Sequence, residues 1–152
     1  MQISLATRDD IPVLVKLAED LIKTTKYSIL QFSADKVEKA LLGTFEQGQT
    51  KSVCLVAKKD GKIVGSIIGY KDQTPFSEDP VAFEFLWWCQ PGTSKRQLLK
   101  LYEGYEYWAK NVAKCKALLV GQLHFKHAPE NYWTRQNFVK CEEYYLKDLS
   151  WE

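Results

Sequence analysis

VAFEFLWWCQPGTSKRQLLKLYEGYEYWAKNVA, residues 81–113, decides how this chain folds. Its first nine residues are apolar and aromatic, as a strand buried in a sheet would be. The run breaks at Pro91-Gly92 and passes through a short polar, basic loop. A helix is then predicted from about Lys95 to Ala113, because Leu98, Leu101, Tyr102, Tyr105, Trp108 and Val112 recur at helical spacing. A strand–loop–helix of this kind turns backbone N–H groups and the positive end of a helix dipole toward an anion such as phosphate. Lys95 and Arg96 add two full charges there. The alternative is a solvated basic helix start, which the dipole disfavours, since cations belong at the other end. The loop has one glycine, Gly92, where phosphate-binding loops carry several.

Working outward, residues 2–6 alternate as a short first strand. Thr7, Asp9 and Asp10 offer caps, and Pro12 suits a first helical turn, so residues 11–24 form a helix. Ser33 caps a second helix over residues 33–47, stopped by Gly48. Residues 52–58 and 62–70 are two strands joined by the turn Lys59-Asp60-Gly61-Lys62. The acidic, proline-bearing loop 74–80 precedes the strand of the opening stretch. After the long helix come a strand over residues 116–122, a short helix over 129–136 opened by Pro129, and one or two closing strands within 138–149. The order β-α-α-β-β-β-α-β-α-β, with no repeat or linker, describes a single α/β domain over residues 1–152 with a mixed, largely antiparallel sheet.

The composition narrows the function. A net charge of +2 makes no general case for nucleic acid or an anionic membrane. No run approaches the ~18 apolar residues of a membrane span, and MQISLATRDD has no apolar signal core. Cys54, Cys89, Cys115 and Cys141 form no CxxC pair or zinc spacing, so they read as thiols of a reducing cytosol. His124 and His127 would lie on opposite faces of a strand, with no third ligand near them in sequence; no metal is expected. The aromatic residues, concentrated in 83–88, 102–108 and 132–151, read first as core and second as an apolar cleft or protein interface.

Four stretches in this order resemble the GNAT-type N-acetyltransferases. ISLATRDDIPVLVKLAEDL resembles the first strand and helix of that family, and VCLVAKKDGKIVGSIIGY its second and third strands. LLKLYEGYEYWAK resembles the helix after the cofactor loop, and ENYWTRQNFVKCEEYYLKDL the terminal segment around its Gly-Phe pair. The likeness runs over essentially the whole chain and is nearest to compact acetyltransferase-like proteins of bacteria and their phages. It implies acetyl transfer from acetyl-CoA to a small-molecule or peptide amine. Backbone groups of Leu86, Trp87 and Trp88 would pair with pantetheine, and Gly92, Thr93, Ser94, Lys95, Arg96 and Gln97 would hold the phosphates.

The chain departs from that pattern at two points. The two loop glycines of the family fall near Arg96 and Leu98, so both are absent, and a bulky residue narrows the seat that glycine leaves for phosphate. The tyrosine that protonates the departing thiolate falls at Trp133, whose indole does not titrate near neutrality; Tyr132 beside it is carried as the catalytic tyrosine instead, though helical spacing would turn it about 100° away. Asn137 replaces the glycine of Gly-Phe, and Asn tolerates a left-handed backbone. Glu84 is the expected base, placed by strand alternation on the face of Leu86 and Trp88; the alternative is a solvent-facing carboxylate. The rival to an enzyme is a GNAT-fold binding or structural module that has lost catalysis, with a second copy or another protein as its partner.

Overall fold

The computed structural model describes residues 1–121 and 130–150, without the side chains of residues 130–132. The two histidines and the Pro129 helix start lie outside the described residues, as does the end of the strand expected over 116–122. β1 (Gln2–Leu5) leads through a 3-10 turn into α1 (Ile11–Lys23), and α2 (Ala34–Glu46) follows. β2 (Ser52–Lys59), β3 (Lys62–Gln73) and β4 (Pro80–Cys89) form the middle of the chain. α3 (Lys95–Tyr107), β5 (Ala117–Leu119) and α4 (Glu130–Arg135) complete the elements. The five strands lie in sequence order in one sheet, antiparallel except for β5, which runs parallel to β4.

β2 is buried on both sides, so its alternation sorts residues between two cores. Cys54 and Val56 face α1 and α2, packing with Ile11, Leu14, Leu41 and Ile68. Val53, Leu55 and Ala57 face α3, packing with Ile67, Ala82, Leu101, Tyr105 and Trp108. Two glycines of β3 let α3 lie close. A Cβ on Gly69 would sit 2.4 Å from Cε2 of Tyr105, and one on Gly65 would sit 3.0 Å from Cδ1 of Leu101. The start of α1 is tied to the sheet through Asp10. Its carboxylate accepts the Thr7 amide at 2.8 Å and the Lys58 ammonium at 2.7 Å. Burial raises the Asp10 pKa, but these bonds outweigh it and hold the group below the usual carboxylate range.

The expected helix over 95–113 is regular only to Tyr107. Trp108–Val112 widens into a π turn, where the Ala113 amide reaches back to the Trp108 carbonyl at 2.9 Å. Two long-range bonds accompany the wider turn: the Trp108 indole donates to the Gln49 carbonyl, and Lys71 Nζ donates to the Ala113 carbonyl at 2.6 Å. The closing strands expected within 138–149 are not formed in the described residues. Val139, Cys141, Glu143 and Tyr145 alternate as expected, but alternation supplies no backbone partner. Val139 and Tyr145 are almost fully exposed.

Candidate functional site

The two halves of β4 have different neighbours. Val81, Ala82 and Phe83 pair with β3 on one side and with Ala117, Leu118 and Leu119 of β5 on the other. The β4–β5 ladder covers only these three pairs, and Glu84 onward lies beyond the end of β5 at Leu119. At the apex, Oε2 of Glu84 accepts the Gly121 amide at 3.0 Å. Among the described residues, Oε1 has no hydrogen-bond partner. Opposite this apex β4 carries a bulge: Glu84 faces Gly69 and Leu86 faces Ile68, leaving Phe85 without a partner on β3.

The bulge corrects the expected orientation of Glu84. An extra residue inverts the alternation beyond it. Leu86 therefore packs in the α1/α2 core, whereas Trp87 joins Ala82 in the α3 core. Glu84 lies on the α3 side, close enough for its charge to act on Tyr105. Burial pushes the Glu84 carboxyl up to about 7, and the Gly121 amide only partly offsets this. By solvent exposure Glu84 is half-buried. Tyr105 is fully buried; burial first, then the Glu84 charge, raises its phenol above the usual range. Its hydroxyl points to the Leu119 carbonyl at 3.4 Å. Gly121 and Tyr105 complete the apex. Tyr105 was legible only as core, and nothing marked Gly121.

The edge of β4 that faces away from β3 has a definite polarity. The Gln90 amide donates to the Val64 carbonyl at 2.7 Å, so backbone alternation turns Trp88 and Leu86 toward β3 and Trp87 and Cys89 outward. Of the three residues expected to pair with pantetheine, Trp87 is the one whose backbone faces away from β3. The Cys89 thiol is pushed up to about 12 by burial and is no nucleophile. Asp72, Glu78 and Asp79 do not converge on this site; Asp79 instead pairs with Lys116 at 2.8 Å in an exposed ion pair. No group of three metal-ligating side chains occurs among the described residues.

The loop after β4 turns at Gly92, whose φ of +85° explains the single glycine. Thr93 closes the turn by donating its amide and hydroxyl to the Gln90 carbonyl, at 3.1 and 2.6 Å. α3 then begins with a reciprocal cap. Ser94 Oγ accepts the Gln97 amide at 3.3 Å, and Gln97 Oε1 accepts the Ser94 amide at 3.2 Å. Three amides expected to hold phosphate, those of Thr93, Ser94 and Gln97, thus have partners already. The first-turn amides of Lys95 and Arg96 have no intrahelical partner, and both side chains are exposed beside them. The residues present suit a CoA thioester at the start of α3, where Lys95 and Arg96 supply donors and charge.

Between those ends lies an aromatic stack. Trp133 of α4 meets Trp87 of β4 edge-on at 6.0 Å between ring centroids and Tyr102 of α3 at 6.4 Å. Phe138 closes the group, 5.1 Å from Trp133 and 5.6 Å from Tyr102. The end of α4 fixes this pair. The Phe138 amide donates to the Trp133 carbonyl at 2.9 Å and the Asn137 amide to the Thr134 carbonyl at 3.1 Å, with Asn137 left-handed at φ +63°. This is the two-bond helix stop in which the residues at Trp133 and Phe138 touch. Tyr132 lies in α4, with its side chain outside the described residues.

No family model and no curated protein sequence matches the chain. Solved structures do. A predicted acetyltransferase from Clostridium acetobutylicum, determined with acetyl-CoA, superposes with a TM-score of 0.73 at 11% identity, covering 97% of this chain and 96% of its own. Glucosamine-6-phosphate N-acetyltransferase from Arabidopsis thaliana gives 0.69 at 12%, with 98% of each chain covered. Ribosomal-protein-alanine N-acetyltransferase from Brucella melitensis biovar Abortus 2308 gives 0.66 at 15%, over 98% of this chain and 100% of its own. With the splayed, mostly antiparallel sheet flanked by helices, these neighbours define the class: the chain has the GNAT-type N-acetyltransferase fold.

Proposed function

We propose that the protein transfers an acetyl group from acetyl-CoA to a small-molecule or peptide amine by direct attack. One observation carries the reading. A carboxyl poised near pH 7 stands at the apex of the β4–β5 opening, one oxygen held by the Gly121 amide. A base poised near the working pH combines adequate ionisation with adequate basicity. The thioester supplies an activated acyl group. Glu84 accepts the amine proton at Oε1 and keeps its orientation through Oε2. Lys95 and Arg96 hold phosphate by their amides and side chains. The four cysteines are free thiols, which suits the cytosol as its compartment.

Calorimetric titration with acetyl-CoA, followed by thiol release over a panel of amines, tests the reading. Saturable binding and amine-dependent release are expected. No binding at millimolar acetyl-CoA refutes the proposal. The double reversal Lys95→Glu/Arg96→Glu should weaken binding by at least about 100-fold, about tenfold for each lost charged contact, with little change in Tm. Equal affinity would remove the phosphates from this loop.

The stack of Trp87, Tyr102, Trp133 and Phe138, together with the closed cap at Ser94, favours a second reading: a binding module that no longer turns over. Trp133→Tyr separates the two. Gained or retained acetyl transfer supports the enzyme; lowered Tm with no transfer supports the module.

A further inference from the structure

Residues 139–150 alternate like a strand but stand in solvent. Val139, Tyr144, Tyr145, Leu146 and Leu149 are all exposed, and a run of large apolar side chains in water marks an interaction surface. The local contacts of the segment are those of an extended chain. The Tyr144 hydroxyl donates to Glu142 and the Tyr145 hydroxyl to Glu143, so side chains two apart meet on alternate faces. Among the described residues no strand pairs with it. A second copy of the chain offers a strand of the same length and pattern.

The charges of the segment select one way for two copies to pair. An antiparallel pair of identical segments has a two-fold axis through its centre. Opposed residues share a face, so the axis passes through a residue that faces its own copy. Centred on Glu142 or Glu143, the pairing sets a carboxylate against itself. Centred on Tyr145, it opposes Glu143 to Lys147 but also Glu142 to Asp148. Centred on Leu146, it forms no ion pair within residues 139–150. Centred on Tyr144, it opposes Lys140 to Asp148 on both sides of the axis and Val139 to Leu149, with no like charges face to face. That register also overlaps the whole of residues 139–149. Lys140 is held by Glu143 only in an exposed ion pair, which is worth little against a cross-strand partner.

We propose that residues 139–149 are a dimerisation strand: the segments of two copies pair antiparallel about a two-fold axis at Tyr144, with Lys140 of each protomer opposite Asp148 of the other. The ladder gives the segment backbone bonds and covers part of its apolar run. It does not depend on the acyl-transfer reading above.

Sedimentation equilibrium on the full chain tests it. Wild type should show a monomer–dimer equilibrium between micromolar and millimolar concentration. Lys140→Asp and Asp148→Lys each set like charges opposite one another at both ends of the ladder, and each should raise the dimer dissociation constant at least about tenfold. The double exchange Lys140→Asp/Asp148→Lys restores opposite charges and should return it to within about threefold of wild type. Both side chains are exposed, so the fold is not at stake. In a Cys141→Ser background, Tyr144→Cys should cross-link to its own copy on mild oxidation. Lys147→Cys, about 20 Å from its copy in this register, should not. A wild type that stays monomeric at millimolar concentration overturns the proposal. So does a dimer indifferent to the single reversals, a double exchange that fails to restore it, or equal cross-linking at the two cysteine positions.

Discussion

Val81–Phe83 and Trp87–Cys89 belong to one strand and look alike as sequence, yet they do opposite things. The first segment is paired on both edges and closes the sheet. The second pairs with β3 and lies beyond the end of β5. Hydrophobicity does not separate them. The separation comes from a bulge at Phe85 on the β3 side and from the end of β5 at Leu119 on the other. Glu84 stands between the halves, close enough to the core to be desolvated and next to the opening where an amine could reach it.

The largest effect is expected in the closed half. Tyr105 is fully buried, stacks on Trp108 at 5.8 Å and lies against Gly69, opposite Glu84. Tyr105→Ala should cost about 3–5 kcal/mol, as truncation of other buried aromatics does. Urea melts measure it; a loss below 1 kcal/mol would mean that the apex is loosely packed and the contrast between the halves is false.

At the boundary, Glu84→Gln should lower kcat by about 10²-fold, in the range for a lost general base. The same variant tests the buried carboxyl without an assay. The folded pKa is raised from 4.5 to about 7, so the folded state keeps a proton that the unfolded chain loses within that window. Stability therefore falls as pH rises from 4.5 through 7, by roughly 3 kcal/mol in all, and levels off above. Glu84→Gln should abolish that slope. An identical pH profile for the two proteins would place the carboxylate in solvent.

The smallest effect belongs to the open half. Ser94→Ala removes the cap of α3 and should cost about 1 kcal/mol of stability. The Gln97 amide also donates to the Ser94 carbonyl at 3.0 Å, so the substitution frees no donor near Lys95 and Arg96. Unchanged CoA affinity alongside the lower Tm is expected. Weaker CoA binding would instead mean that the cap organises the loop for phosphate.

Much of the fold was legible because its signals are local. The cap at Ser33, the Asp60-Gly61 turn and the left-handed Asn137 all stand where residue chemistry placed them. The strands 52–58 and 62–70 were found nearly complete, with β3 running on to Gln73. The closing strands were wrong because pairing is a property of two segments, and the alternation of residues 139–145 describes only one. Glu84 was identified as the acid of interest but given the wrong face, since period-two counting assumes an unbroken register and a bulge leaves no mark in the residues around Phe85.

The sequence by itself determined which residues are apolar, where helices start and turns fall, and that a carboxyl sits within an aromatic strand. These follow from side-chain size, charge and backbone freedom at single positions. Only the tertiary structure decided which way that carboxyl faces, which residues of β4 lie beyond the end of β5, and that Trp133 meets Trp87 and Tyr102. Each of those depends on the register of strands and the docking of helices, where segments remote in the chain compete for one space.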